Sequence, residues 1–114
     1  MKAEKNALQK TLDALGLCAK ARRLTVGTPM ICEALRKPVK PFLVLCANDN
    51  SENTVKKLTD KCAFYGVSIV TLPADGAQLA AAVGKQSRVA AVAVTDENLC
   101  RLVKGTLAGE KENI

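Results

Sequence analysis

The sequence predicts a three-layer α/β/α sandwich whose sheet has about four strands. Three observations carry this reading. Segments with helical spacing of apolar residues alternate with short apolar runs, in the order α-β-α-β-α-β-α-β-α. The run Phe42-Leu43-Val44-Leu45-Cys46-Ala47 is apolar without a break, as a strand covered on both faces requires. A chain of 114 residues, 48% hydrophobic and 25% charged, suits one folded domain, so wholesale disorder is excluded.

Leu8, Leu12, Leu15 and Ala19 recur at helical spacing and define a first amphipathic helix from about Asn6 to Ala21. Leu24-Thr25-Val26 reads as a short strand. In Gly27-Thr28-Pro29, Thr28 is the expected N-cap of a second helix and Pro29 its first residue, where a missing N–H costs nothing. Ile31, Ala34 and Leu35 form its inner face, and Pro38 and Pro41 lie beyond its end. After the 42–47 strand, Asn48-Asp49-Asn50-Ser51 turns the chain, with Asn50 or Ser51 capping a third helix. That helix carries Val55, Leu58, Cys62 and Tyr65 inward and stops at Gly66.

Val67 to Leu72 forms the next strand. Asp75 and Gln78 have the spacing of a capping box, opening a fourth helix with Leu79, Ala82 and Val83 inward, closed by Gly84. The loop Lys85-Gln86-Ser87-Arg88 leads into the strand Val89 to Val94. Thr95 or Asp96 then caps a last helix built on Leu99, Leu102, Val103 and Leu107. Residues 1–114 are read as one domain, with a frayed polar tail over about 109–114.

Seventeen Lys and Arg against eleven Asp and Glu leave a net charge of +6. The excess is localised: residues 1–40 carry nine bases and three acids, whereas residues 41–114 carry eight of each. A polyanionic partner is the corresponding expectation. Histidine is absent, which removes His–carboxylate and His–Cys catalysis and imidazole zinc sites. The aromatics are Phe42, Phe64 and Tyr65, too few for a base-stacking platform.

The five cysteines (Cys18, Cys32, Cys46, Cys62, Cys100) include no Cys-x-x-Cys pair, so they read as reduced, packed thiols. Neither a signal-like apolar segment at the amino terminus nor a membrane-length apolar run occurs, and the expected location is the cytoplasm. No strand–helix turn has the glycine pattern of a dinucleotide or P-loop site. Asp49 and Asp75, the two carboxylates that such turns would offer for acid–base work, sit in capping contexts instead. No catalytic residue, metal or cofactor is expected.

Three separated blocks resemble a known family. They are Leu15 to Gly27 (LGLCAKARRLTVG), Asp49-x-Ser51-x-Asn53-Thr54-x-Lys56-Lys57-Leu58, and Gly84-Lys85-x-x-Arg88-Val89-x-x-Val92-x-Val94-x-Asp96. In order and spacing these are similar to the bacterial YlxQ branch of the kink-turn RNA-binding ribosomal protein superfamily, over residues 8–103. The resemblance implies a mixed four-stranded sheet, no enzymatic activity, and a ribosome-associated role with structured RNA, including ribosomal RNA, as partner. Its interface is the Gly27 turn, the start of the second helix and the 85–90 loop.

In kink-turn binders of this superfamily the second helix opens with Gly-x-Asn-Glu-x-x-Lys, whose Asn and Glu read guanines. This sequence keeps Gly27 but has Pro29, Met30 and Glu33 at the three reading positions. Losing such pairs removes ~1–3 kcal/mol of base discrimination each, while phosphate attraction survives. The residues expected to contact RNA are therefore Arg22, Arg23, Gly27, Thr28, Lys37, Lys85, Ser87, Arg88 and Val89. Selectivity for kink-turns is expected to be weaker than in the Asn-Glu type. The alternative is a protein-interaction module of the translation or transcription machinery, its old RNA surface altered at Pro29, Met30 and Glu33. A monomer is expected in either case.

Overall fold

The alternation of helix and strand is realised in order, and the computed structural model of the protein describes residues 7–112. The elements are α1 (Ala7–Lys20), β1 (Leu24–Val26), α2 (Thr28–Leu35), β2 (Leu43–Cys46), α3 (Glu52–Tyr65), β3 (Ser68–Thr71), α4 (Gly76–Ala82), β4 (Ala91–Val94) and α5 (Glu97–Glu112). The sheet order is β1-β4-β2-β3. β4 runs antiparallel to both β1 and β2, and β2 runs parallel to β3, so the sheet is mixed as expected.

The two central strands, β2 and β4, are buried at every position. Alternate residues face opposite layers because the side-chain period of a strand is two. Leu43, Leu45, Val92 and Val94 join α1, α4 and α5 in one core. Val44, Cys46, Ala91 and Ala93 meet α2 and α3 in the other. This is the predicted α/β/α sandwich. All five cysteines are buried free thiols, and burial pushes the Cys46 thiol up to about 11. Thr11, fully buried in α1, shares a 2.6 Å hydrogen bond with Thr106 of α5, so the polar pair inside that contact is satisfied.

Local chemistry sets the element ends. Ser51 caps α3, its hydroxyl accepting from the Thr54 N–H at 3.2 Å, and Gly66 closes it in the left-handed region at φ 74°. The Asp75/Gln78 capping box is complete, with both reciprocal bonds present. Asp96 starts α5 by accepting from the Leu99 N–H at 2.9 Å.

Several expectations need correction. Gly27, not Thr28, is the cap residue of α2; Thr28 is already helical and caps nothing with its side chain. Gly27 takes the role because its φ of 96° and ψ of 146° suit a residue without Cβ, and its carbonyl accepts from the Ile31 N–H. Val55 and Leu102 are exposed rather than inward. On α5 the inward arc is filled by Leu99, Cys100, Val103 and Leu107, which leaves Leu102 on its margin. Phe42 lies outside β2 and is half-exposed. The helix α5 continues through 109–112, where a frayed tail was expected, and Asn6, Asn113 and Ile114 lie outside the described residues.

The end of α1 holds an unusual residue. Arg22 sits at φ 60°, in the left-handed region, and the Arg22 and Arg23 N–H groups bond back to the Ala19 and Cys18 carbonyls at 3.0 and 2.9 Å. Glycine normally takes this place in such a helix stop. Arg22→Gly is therefore expected to raise the unfolding free energy by about 1 kcal/mol in a urea titration.

Candidate nucleic-acid interface

Strand direction sorts the expected RNA-contacting residues into two groups. The Gly27 N–H donates to the Ala91 carbonyl at 3.0 Å, placing the Gly27 turn beside the start of β4. The loop 84–90 enters β4 at that same end, so Gly27, Thr28, Lys85, Ser87, Arg88 and Val89 share one edge. A groove of about 530 Å³ lies there, lined by Val26, Gly84, Lys85, Gln86, Ser87, Arg88 and Val89. Val89 is buried, while Lys85, Ser87 and Arg88 are exposed.

Arg22, Arg23 and Lys37 are elsewhere. The Thr95 N–H donates to the Arg23 carbonyl at 3.0 Å, which fixes the α1–β1 turn at the finishing end of β4. That is roughly 13 Å of strand from Gly27. Lys37 follows α2, whose eight residues carry the chain back about 12 Å from the Gly27 edge. The next backbone contact, Phe42 N–H to the Val94 carbonyl at 2.8 Å, lies at the Arg23 end. The nine residues thus do not form one surface.

On the Gly27 edge, α2 presents no base-reading side chain. Pro29, Met30 and Glu33 are exposed, Met30 at 56%. The loop is a different matter, because it is clamped at several points. Arg88 donates from Nη2 to Asp49 Oδ1 and to Asn50 Oδ1, both at 2.7 Å. Asp49 Oδ1 also accepts from the Gly76 N–H at 3.0 Å, and the Val89 N–H bonds the Gly76 carbonyl at 3.1 Å. The Arg88 guanidinium holds the Asp49 carboxyl below its ordinary value of 3.8, with the Gly76 N–H adding to the effect. Asn50 donates to the Ala47 and Ala90 carbonyls at 3.1 and 3.0 Å, tying the end of β2 to the entry of β4.

Gly76 belongs to the same assembly: a Cβ there would lie 2.3 Å from Arg88 Cγ. The arginine stem therefore passes directly over the start of α4. Asp49, expected as a helix-capping carboxylate, holds a Gly76 N–H and an arginine together. Asn50, expected as a possible cap of α3, is instead the bridge between two strands. The signal available beforehand was the polar triplet Asn48-Asp49-Asn50 directly after a fully apolar strand.

What this edge offers chemically is a preorganised loop with one unpaired cation among the described residues, Lys85, one charge-compensated cation, Arg88, and a backbone turn at Gly27. No group arranged for proton transfer or nucleophilic attack accompanies them. Among the described residues no helix is long and apolar enough to cross a membrane.

The chain is 40% identical over 83 residues to a Bacillus subtilis (strain 168) protein named RNA-binding protein YlxQ, covering 73% of this chain and 80% of that one. It is 31% identical over 101 residues to the Enterococcus faecium protein of the same name, covering 89% and 94%. Among solved structures, a protein with unknown function from Bacillus halodurans C superposes with a TM-score of 0.77 at 31% identity, over 87% of this chain and 97% of that one. A Giardia lamblia 15.5kD RNA binding protein has the same fold, with a TM-score of 0.77 at 17% identity over 98% and 93%. The relatives carry the names of RNA-binding proteins and not of enzymes, which bears out the expected lack of enzymatic activity. Residues 9–103 match the sequence profile of the Ribosomal protein L7Ae/L30e/S12e/Gadd45 family, and the chain belongs to that family.

Proposed function

We propose that this protein is a non-enzymatic RNA-binding protein of the cytoplasm, associated with ribosomal or other structured RNA and active as a monomer. The observation that carries the reading is the clamped 84–90 loop, set on the same edge as the Gly27 turn, in a chain whose relatives are named RNA-binding proteins. Rigidity matters here because a loop ordered before binding loses little entropy on contact with RNA. Lys85 supplies phosphate attraction, Ser87 a hydroxyl, and Val89 an apolar floor at the mouth of the groove. With Pro29 and Met30 at the head of α2 and Glu33 a turn further on, kink-turn RNA is bound with modest preference over plain duplex.

Titration of a kink-turn RNA and a plain RNA duplex over a range of salt tests this reading. Binding to both is expected, weakening as salt rises, with a small preference for the kink-turn. Lys85→Gln should flatten the slope of log K against log salt by roughly 0.7–0.9, one phosphate contact. Failure of either RNA to bind at low salt rejects the proposal. A second reading, a protein-docking surface on the same edge, is favoured by the exposure of Met30 beside Pro29. Recovery of a translation or transcription protein from RNase-treated lysate, lost with Met30→Ser, would support it.

A further inference from the structure

We propose that the opposite end of the sheet is a second RNA-phosphate surface, which lets one protein hold two RNA helices at once. This inference rests on the RNA-binding reading above but concerns a separate set of residues. Arg22 and Arg23, in the α1–β1 turn, share this end with Arg36, Lys37 and Lys40, in the connection from α2 to β2. The first four are exposed, and among the described residues none of them has a carboxylate within ion-pair distance.

Two acids that follow Thr95, whose N–H holds the Arg23 carbonyl, are already engaged. Asp96 accepts the Leu99 N–H at 2.9 Å as a helix cap, and Glu97 pairs with Arg101 at 3.4 Å. Glu33, a turn earlier on α2, is exposed and pairs with none of the cations. Unneutralised cations on a surface of this kind attract a phosphate backbone without reading its sequence.

Two further observations point the same way. Arg22, an exposed residue, is held in a left-handed conformation where glycine would be more stable, a local cost in the fold. The Lys40 ammonium lies 4.9 Å from the centroid of Tyr65, whose ring meets Phe64 edge-on at 4.9 Å. Phe64 is 81% exposed and stands at the end of α3, on this same edge. Its exposed ring, next to the Tyr65 that carries Lys40, is suited to an unpaired base at a helix end. A protein partner with an acidic face is the competing occupant, and the test separates the two.

The probe is a short RNA duplex with an unpaired 3′ base, labelled in one pool with a donor fluorophore and in another with an acceptor. The wild-type protein is expected to bring donor and acceptor duplexes together at two duplexes per protein. The triple variant Arg22→Gly, Arg23→Gln, Lys37→Gln should abolish energy transfer and leave one duplex bound with affinity unchanged within about twofold, the loop edge being intact. Arg22→Gly alone keeps or improves the fold, so any loss of transfer it causes is not unfolding. Phe64→Ser should weaken the second duplex only when the unpaired base is present.

One-to-one binding without energy transfer, and with the triple variant indistinguishable from wild type, overturns this inference while the loop-edge reading stands. The same result accompanied by capture of an acidic protein through these cations also overturns it, in favour of the competing occupant. Loss of transfer in Lys85→Gln with the opposite end still binding one duplex supports both surfaces. An absence of RNA binding by either end overturns both readings together.

Discussion

Replacement of Gly27 by alanine is expected to lower the unfolding free energy by about 1–3 kcal/mol, because its backbone lies in a region that only glycine holds without strain. Nothing lies within 4 Å of where the new Cβ would sit, so the penalty is conformational and not a clash. Gly66→Ala is the control: it also has positive φ, but in the ordinary left-handed well, and should cost about 1 kcal/mol. Urea unfolding of both variants measures the difference. Equal losses would show that the Gly27 conformation is not special. Since Gly27 sets the direction in which α2 leaves the edge proposed to face RNA, Gly27→Ala should also weaken RNA binding, whereas Gly66→Ala at the opposite end of α3 should leave loop-edge binding intact.

Asn50→Ala should cost a further class of energy. It leaves the Ala47 carbonyl without its side-chain donor, takes one of two partners from Ala90, and frees one of the two acceptors of Arg88. A loss of about 1–3 kcal/mol is expected from the orphaned, half-buried carbonyl. Arg88→Ala removes the same clamp from the loop side. In a double-mutant cycle the two losses should fall short of additive, with a coupling of about 0.5–3 kcal/mol. Strict additivity would separate the bridge from the clamp and refute their joint action.

Acid should act on the remaining link. Asp49 titrates lower in the folded protein than in the unfolded chain, so its contribution is present above the ordinary carboxylate range and is lost as pH falls through the depressed value. The loop in Asn50→Ala, whose remaining side-chain clamp at neutral pH is the Arg88–Asp49 pair, should therefore gain hydrogen-exchange mobility on acidification more sharply than wild type.

These effects recast the role of Arg88. Its charge looked like a phosphate ligand beside Lys85, yet the guanidinium is already shared between Asp49 and Asn50. Arg88 is thus a positioning residue for the loop, and Lys85 is the cation free to meet phosphate.

How much of the fold is legible in the sequence depends on the range of each interaction. Helix spacing, the Asp75/Gln78 capping box, the Ser51 cap and the Gly66 stop are contacts among residues a few positions apart, so they were legible in order and nearly in extent. The apolar run at 42–47 likewise announced a central strand. Misplaced residues were those whose fate depends on distant partners. Gly27 displaced Thr28 as cap because its N–H is held by Ala91, 64 positions away, and Asn50 became a bridge because Ala90 arrives beside it.

The same distinction governs the charge. Sequence alone determined that the chain is basic, that the excess lies in residues 1–40, and that helices and strands alternate there. It even separated Arg23 from Gly27 by a strand. Only the tertiary structure decided which turns meet at each end of the sheet, because strand order and direction are set by hydrogen bonds between remote segments. The antiparallel pairing of β1 with β4, and the return of the chain along α2, gather Arg22, Arg23, Arg36, Lys37 and Lys40 at one end of the sheet and leave the Gly27 edge to Lys85 and Arg88.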